Sequence, residues 1–235
     1  MGGLVGVYQI EISEGAIRTQ GKVALAGGGG ANDSRLLDEV FAAWIGPHGK
    51  LLYWPFALRG KRSFQSCLEW ITTTFAPLNV TDITMWNQLP EHLPSELEEF
   101  DAVYIGGGNT FNLLAELKES GFERYLRAFV QGGKAVFGGS AGAAVLGRDI
   151  RTVNHLDRND VRLTDTQGLD LADGHAVWVH YRLQDDRLID AYVHEYQQSV
   201  LAISERSGIV IEKEGLRTVG FEPVYRFDGH GKSEV

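Results

Sequence analysis

The chain has 235 residues, 43% of them hydrophobic and 23% charged, an ordinary composition for one full α/β domain or at a stretch two small ones. Its net charge of −9 argues against a nucleic-acid partner, which would need a basic face, and means that an acidic substrate must be held by local cations. A single cysteine, Cys67, excludes a disulfide framework within the chain, and no apolar run approaches the roughly 20 residues of a membrane helix. Met1 to Tyr8 is glycine-rich and lacks a basic leader, so a cytoplasmic protein without a signal peptide is expected.

Residues 1–21 form an N-terminal extension, with Val7–Ile12 able to add an edge strand. The pattern sharpens at Lys22. Val23–Ala26 is a short apolar run that stops at Gly27–Gly30, and Leu36, Leu37, Val40, Phe41 and Trp44 then recur at helical spacing. Leu51–Pro55 reads as a strand, Ser63–Phe75 as a helix and Asn79–Met85 as a strand. Phe100–Ile105 is a strand ending in Gly106-Gly107-Gly108, followed by helices over Phe111–Lys118 and Phe122–Gln131. Lys134–Phe137 is a buried strand, again ending in glycine, and Ala141–Leu146 opens another helix. Strand and helix alternating at this length give a mostly parallel sheet flanked by helices, with ligands beyond the carboxyl ends of the strands. Asp149–Asp173 is polar and aperiodic, a long loop. Ala176–Tyr181 is a strand, Asp185–Tyr196 a helix, and Val200–Ser204, Gly208–Glu212, Leu216–Gly220 and Val224–Phe227 are short strands of an antiparallel C-terminal edge. One domain over residues 22–230 is the economical division.

Gly138-Gly139-Ser140-Ala141-Gly142, between a buried strand and a helix, has the Gly-x-Ser-x-Gly pattern of a nucleophile elbow. A serine there projects its hydroxyl above the sheet, and the amide of Ala141 at the helix start can donate to an oxyanion. Alone, the pattern is equally a tight strand–helix turn. Gly106-Gly107-Gly108-Asn109-Thr110 offers outward amides, of which Gly108 would supply the second oxyanion donor; the glycines lack the lysine of a P-loop. Asn109 would hold substrate or cap the following helix. A serine nucleophile needs a base, and among the seven histidines His180, at the end of Val177-Trp178-Val179, is best placed. His175 begins that strand and belongs at the opposite edge. Asp157, Asp160 and Asp165 lie between Ser140 and His180, with Asp157 the first choice as the acid that orients the base.

Gly106-Gly107-Gly108-Asn109-Thr110-Phe111-x-Leu113-Leu114, followed by Gly-x-Ser140-Ala141-Gly142-Ala143 and Ile150-Arg151-Thr152-x-Asn154, resembles peptidase E, the aspartyl dipeptidases of the S51 group, and the related cyanophycinases, from about Lys22 to Phe227. The resemblance implies a fold similar to class I glutamine amidotransferases with serine at the elbow, and cleavage of dipeptides with an N-terminal aspartate. It carries Ser140 over as nucleophile, Gly108 and Ala141 as oxyanion donors and His180 as base. Read without a gap, the family's aspartate falls on His155; shifting the gap brings Asp157 into that place. An aspartate side chain in the first pocket would want an arginine, and Arg151 and Arg182 are the candidates by position, ahead of Arg59 and Arg148. The expected ligand is a small peptide, with no cofactor, no metal, no nucleic acid and no membrane, and with room for a homodimer. Competing readings are an esterase of the α/β-hydrolase type, a non-catalytic relative that binds an acidic small molecule, and an amidotransferase-like domain, the last disfavoured because Cys67 lies in a helical pattern.

Overall fold

The computed structural model describes residues 21–235, so the strand expected at Val7–Ile12 lies outside the described residues. Among the described residues eleven strands form two sheets. The main sheet has the order β3-β2-β4-β5-β1-β8-β9, from β1 (Lys22–Ala26), β2 (Lys50–Trp54), β3 (Asp82–Met85), β4 (Ala102–Ile105), β5 (Ala135–Gly139), β8 (Ser207–Glu212) and β9 (Gly215–Gly220). Its first five strands are mutually parallel, while β8 and β9 run antiparallel. The second sheet, β11-β10-β7-β6, contains β6 (Ala176–Trp178), β7 (Val200–Ala202), β10 (Tyr225–Asp228) and β11 (Gly231–Glu234).

The central strands of the main sheet face protein on both sides. In β1, Val23 and Leu25 join one core while Ala24 and Ala26 join the other, the period-two alternation of a sheet covered on both faces. One face carries α1 (Ala31–Ile45) and α2 (Phe64–Phe75), where Leu37, Phe41, Ile71 and Phe75 pack on Tyr53, Tyr104 and Phe137. The other carries α3 (Thr110–Ser120), α4 (Phe122–Gln131) and α5 (Ala141–Leu146), with Leu113, Leu117, Leu126 and Val145 against Leu52, Val103 and Val136. Ser63 caps α2 by accepting from the Ser66 N–H, which is why that helix begins at Phe64. No helix among the described residues is long and apolar enough to cross a membrane.

The C-terminal strands do more than finish one antiparallel edge. β8 and β9 do so, but β7 and β10 leave for the second sheet, and β11, beyond the expected domain end at residue 230, extends it. There β6 and β7 pair in parallel, Trp178 opposite Ala202. α6 (Asp186–Tyr196) packs Ile189 and Tyr192 on this sheet with Ala176, Val200 and Phe227. The Asp149–Asp173 stretch holds a 3-10 turn at Ile150–Val153 and a single bridge between Asp149 and Gln167.

Candidate active site

The carboxyl ends of β1, β4 and β5 meet at one edge, as the three glycine clusters require. The end of β1 is the hub. Its Ala26 carbonyl accepts from the Ser140 N–H at 3.0 Å, and the next carbonyl, Gly27, accepts from the His180 N–H at 2.8 Å. Two consecutive peptide groups thus fix the two reactive side chains.

Ser140 has φ 50° and ψ −109°, a conformation that costs a non-glycine residue about 1–3 kcal/mol and is held only when its surroundings over-determine it. Those surroundings explain the flanking glycines. A Cβ on Gly138 would lie 2.5 Å from the Gly142 carbonyl carbon, and one on Gly142 would lie 2.2 Å from the Ile105 oxygen. The turn is therefore tight enough to lift the serine hydroxyl out of the sheet while β5 and α5 stay in contact.

Ser140 Oγ is 2.8 Å from His180 Nε2, and His180 Nδ1 is 2.9 Å from Glu205 Oε1. A hydroxyl, an imidazole and a carboxylate thus form one continuous relay. His180 reaches Ser140 from the second sheet, two residues beyond β6, and not from the sheet that carries the elbow as its strand-end position had implied. Glu205 follows β7 in the same way. The Ile203 N–H donates to the Trp178 carbonyl and the Tyr181 N–H to the Ile203 carbonyl, continuing the β6–β7 pairing until His180 and Glu205 stand side by side.

The carboxylate that meets His180 Nδ1 is therefore Glu205 and not Asp157. The Asp157 Oδ2 accepts from both the Thr110 N–H at 2.8 Å and the Thr110 hydroxyl at 2.7 Å, so this carboxylate ties the long loop to the start of α3. Asp160 is paired with exposed Arg158, and Asp165 with Lys118 and the Gln167 N–H. His155, the gap-free counterpart, stacks on Trp178 with ring centroids 4.3 Å apart, and burial holds its pKa below the usual histidine value. His175 bonds Ser199 Oγ through Nδ1 at the far end of β6.

Neither the Gly108 nor the Ala141 N–H makes a hydrogen bond to the described residues. Gly108 lines the cleft, and Ala141, next to Ser140, begins α5, so its amide adds the positive end of a short helix. Asn109 is a cap: its Oδ1 accepts from the Asn112 N–H and its Nδ2 donates to the Arg158 carbonyl.

Two clefts open on either side of the Ser140–His180 pair. The larger, about 290 Å³, runs between the Gly28–Gly30 turn and α2, and is lined by Tyr53, Arg62, Ser66, Cys67, Trp70 and Tyr104 among others. The smaller, about 130 Å³, is bounded by Val153, Leu156, Asp157 and Val179. The arginines anticipated for substrate lie elsewhere. Arg151 grips Asp149 through Nε at 2.8 Å and lies over the Tyr196 ring at 3.7 Å; Arg59 pairs with Glu116 at 2.9 Å. Arg182 and Arg148 are exposed and line neither cleft. Sequence reasoning missed Glu205, whose place beside His180 depends on the pairing of β6 with β7.

The sequence model of Peptidase family S51 matches residues 23–219. The chain is similar to an uncharacterized peptidase of Listeria innocua, 27% identical over 145 residues covering 60% of this chain and 69% of that protein. It is similar to peptidase E of Shewanella denitrificans, 31% identical over 151 residues covering 59% of this chain and 61% of that protein. In fold it is similar to the crystal structure of a peptidase from an acI-B1 Actinobacterium, with a TM-score of 0.70, 16% identity, and coverage of 93% of this chain and 95% of that one. A match over residues 23–219, a span that includes the elbow, makes the protein a peptidase belonging to family S51.

Proposed function

We propose that the protein is a serine-type dipeptidase that hydrolyses dipeptides with an N-terminal aspartate through an acyl-enzyme. The observation that carries the mechanism is the relay Ser140 Oγ–His180 Nε2–His180 Nδ1–Glu205 Oε1, with legs of 2.8 and 2.9 Å. In this reading Ser140 attacks the scissile carbonyl as His180 takes its proton. The Glu205 carboxylate keeps the Nδ1 proton on the imidazole and favours the imidazolium that forms. The free N–H groups of Gly108 and Ala141 receive the oxyanion. His180 returns the proton to the departing amine, and water then repeats the sequence to release the acid and regenerate Ser140. Small, divided clefts support a short substrate, and a carboxylate at the third position weighs against a relative that only binds its ligand.

Incubation with Asp-Leu and Ala-Leu beside a Ser140→Ala control tests this reading, with a fluorophosphonate as a reactivity probe. Leucine released from Asp-Leu alone and lost in the control is the expected result. Failure of the probe to label Ser140 refutes the serine mechanism; labelling without dipeptide turnover refutes the substrate.

A further inference from the structure

Of the three relay residues Glu205 alone is exposed. Among the described residues His180 Nδ1 is the one group that its carboxylate hydrogen-bonds. Where the carboxylate points is therefore set by the backbone that carries it. On a loose backbone a glutamate spreads over several staggered rotamers, and only some of them reach the imidazole.

That backbone is a link between the two sheets. The chain leaves β7, turns at Glu205 and Arg206, and enters β8, with the Ser207 N–H donating to the Ser204 carbonyl at 3.3 Å. It returns from β9 to β10 through residues 221–224. The two crossings are tied together. The Phe221 N–H donates to the Arg206 carbonyl at 2.8 Å, and the Ser204 hydroxyl donates to Glu222 Oε2 at 2.6 Å. Ser204 Oγ is also 2.9 Å from Ser207 Oγ. A hydroxyl has one proton to give, and that of Ser204 goes to the carboxylate, so Ser207 is the donor in this second bond. Both serines are buried, and a buried hydroxyl stripped of its partner is costly, so the Ser207–Ser204–Glu222 chain resists rearrangement. Packing closes the other side of the turn: a Cβ on Gly27 would fall 2.1 Å from the Ser204 carbonyl oxygen, and one on Gly29 2.8 Å from that of Glu205. Arg206 adds little, since its approaches to Asp33 and Glu222 are 3.8 and 3.7 Å between solvated groups.

Resting on the serine relay proposed above, we infer that Glu222 is a positioning residue of the reaction: through Ser204 it latches the turn that aims Glu205 at His180 Nδ1. Glu222 touches no reacting atom. It acts from the opposite crossing, beyond β9 and outside the Ser140–Glu205 span, by keeping the acid's backbone in the one arrangement that brings its carboxylate to the imidazole.

The rate at which a small fluorophosphonate labels Ser140 in the full chain tests this as a double-mutant cycle. Glu222→Ala is expected to slow labelling about three- to tenfold, because a freed glutamate holds the competent rotamer only part of the time, and by no more than Glu205→Gln does. In the Glu205→Gln background the same Glu222→Ala should change the rate by less than about twofold, since no charge is left to aim. A merely structural role costs the same factor in both backgrounds, and that result overturns the inference. Glu222→Gln keeps an oxygen for the Ser204 hydroxyl and should recover part of the lost rate; a glutamine as slow as the alanine overturns the latch. Ser204→Ala removes the same bond from its other end and should match Glu222→Ala, with no further loss when the two are combined. A Ser204→Ala enzyme that labels at the parental rate overturns the inference even if Glu222→Ala fails to fold. A parent that the probe does not label refutes the serine reading and this inference with it, whereas a labelled parent slowed by Glu205→Gln but indifferent to Glu222→Ala refutes this inference alone.

Discussion

Glu205→Gln is the substitution that discriminates best between the two candidate acids. Glutamine keeps the shape, but its Oε1 carries no charge to favour the imidazolium. A carboxylate 2.9 Å from Nδ1 has its charge roughly 4 Å from the centre of the cationic ring, worth about 4 kcal/mol at an effective dielectric of 20. The Glu205 side chain is 47% exposed, so solvent screening reduces this to about 1.5–3 kcal/mol, a 10–100-fold slower acylation. A buried triad acid would be worth more, up to about 10⁴. The rate of Ser140 labelling by a small fluorophosphonate reads this step without involving substrate pockets. In the same assay Asp157→Asn is expected to stay within about threefold of the parent, and to cost about 1 kcal/mol of stability through the weakened tie to Thr110. A Glu205→Gln enzyme that labels at the parental rate, beside an Asp157→Asn enzyme that labels a hundredfold slower, would refute the reasoning.

Three further outcomes follow from the geometry. Gly28 has φ +137° and a Cβ there would fall 2.2 Å from His180 Cε1, so Gly28→Ala should cut Ser140 labelling about a hundredfold or more while circular dichroism stays native; parental labelling would show that the ring is not held against this turn. Asp38 is 2% exposed, and burial raises its pKa from 3.8 to about 7, only partly offset by the Ser34 hydrogen bond. A raised carboxyl favours folding below the unfolded pKa and loses that contribution as pH climbs through the folded value, about 4 kcal/mol in all. Asp38→Asn should therefore gain about 2–3 kcal/mol relative to the parent between pH 5 and pH 8 in urea unfolding; parallel profiles would count against an ionising Asp38. Finally, a Cβ on Gly142 meets the Ile105 carbonyl at 2.2 Å, so Gly142→Ala should lower the melting temperature by about 5 °C or more, measured by calorimetry.

The main sheet was legible because its strands are apolar runs punctuated by glycine, with helices whose apolar periodicity is strong in α1 and α2. The elbow was legible for the same reason: Gly138 and Gly142 are demanded by contacts of 2.5 and 2.2 Å, so their absence would have been visible as a broken motif. What local pattern does not encode is which strands pair. Ala176–Tyr181 and Val200–Ser204 were both found as strands, yet their parallel pairing in a sheet of their own is set by α6 and Phe227 packing beneath them, a long-range effect. Confining the acid to the stretch between Ser140 and His180 assumed the chain order Ser-Asp-His. The order is Ser-His-Glu, and once β6 and β7 are neighbours Glu205 is the residue that falls next to His180.

The nucleophile belongs to one sheet, and the base and its carboxylate to another. The small sheet meets the elbow through the Gly27 carbonyl and through Val177, Val179, Leu201 and Ile203, which share one buried core with Val145 and the rest of α5. It is therefore not free to open while that core stands. Heat or urea should silence the enzyme in the same transition that melts the main core, with amides of β6 and β7 exchanging in step with those of β1, β4 and β5. Ser140 and His180 are parted only when the core that seats both gives way.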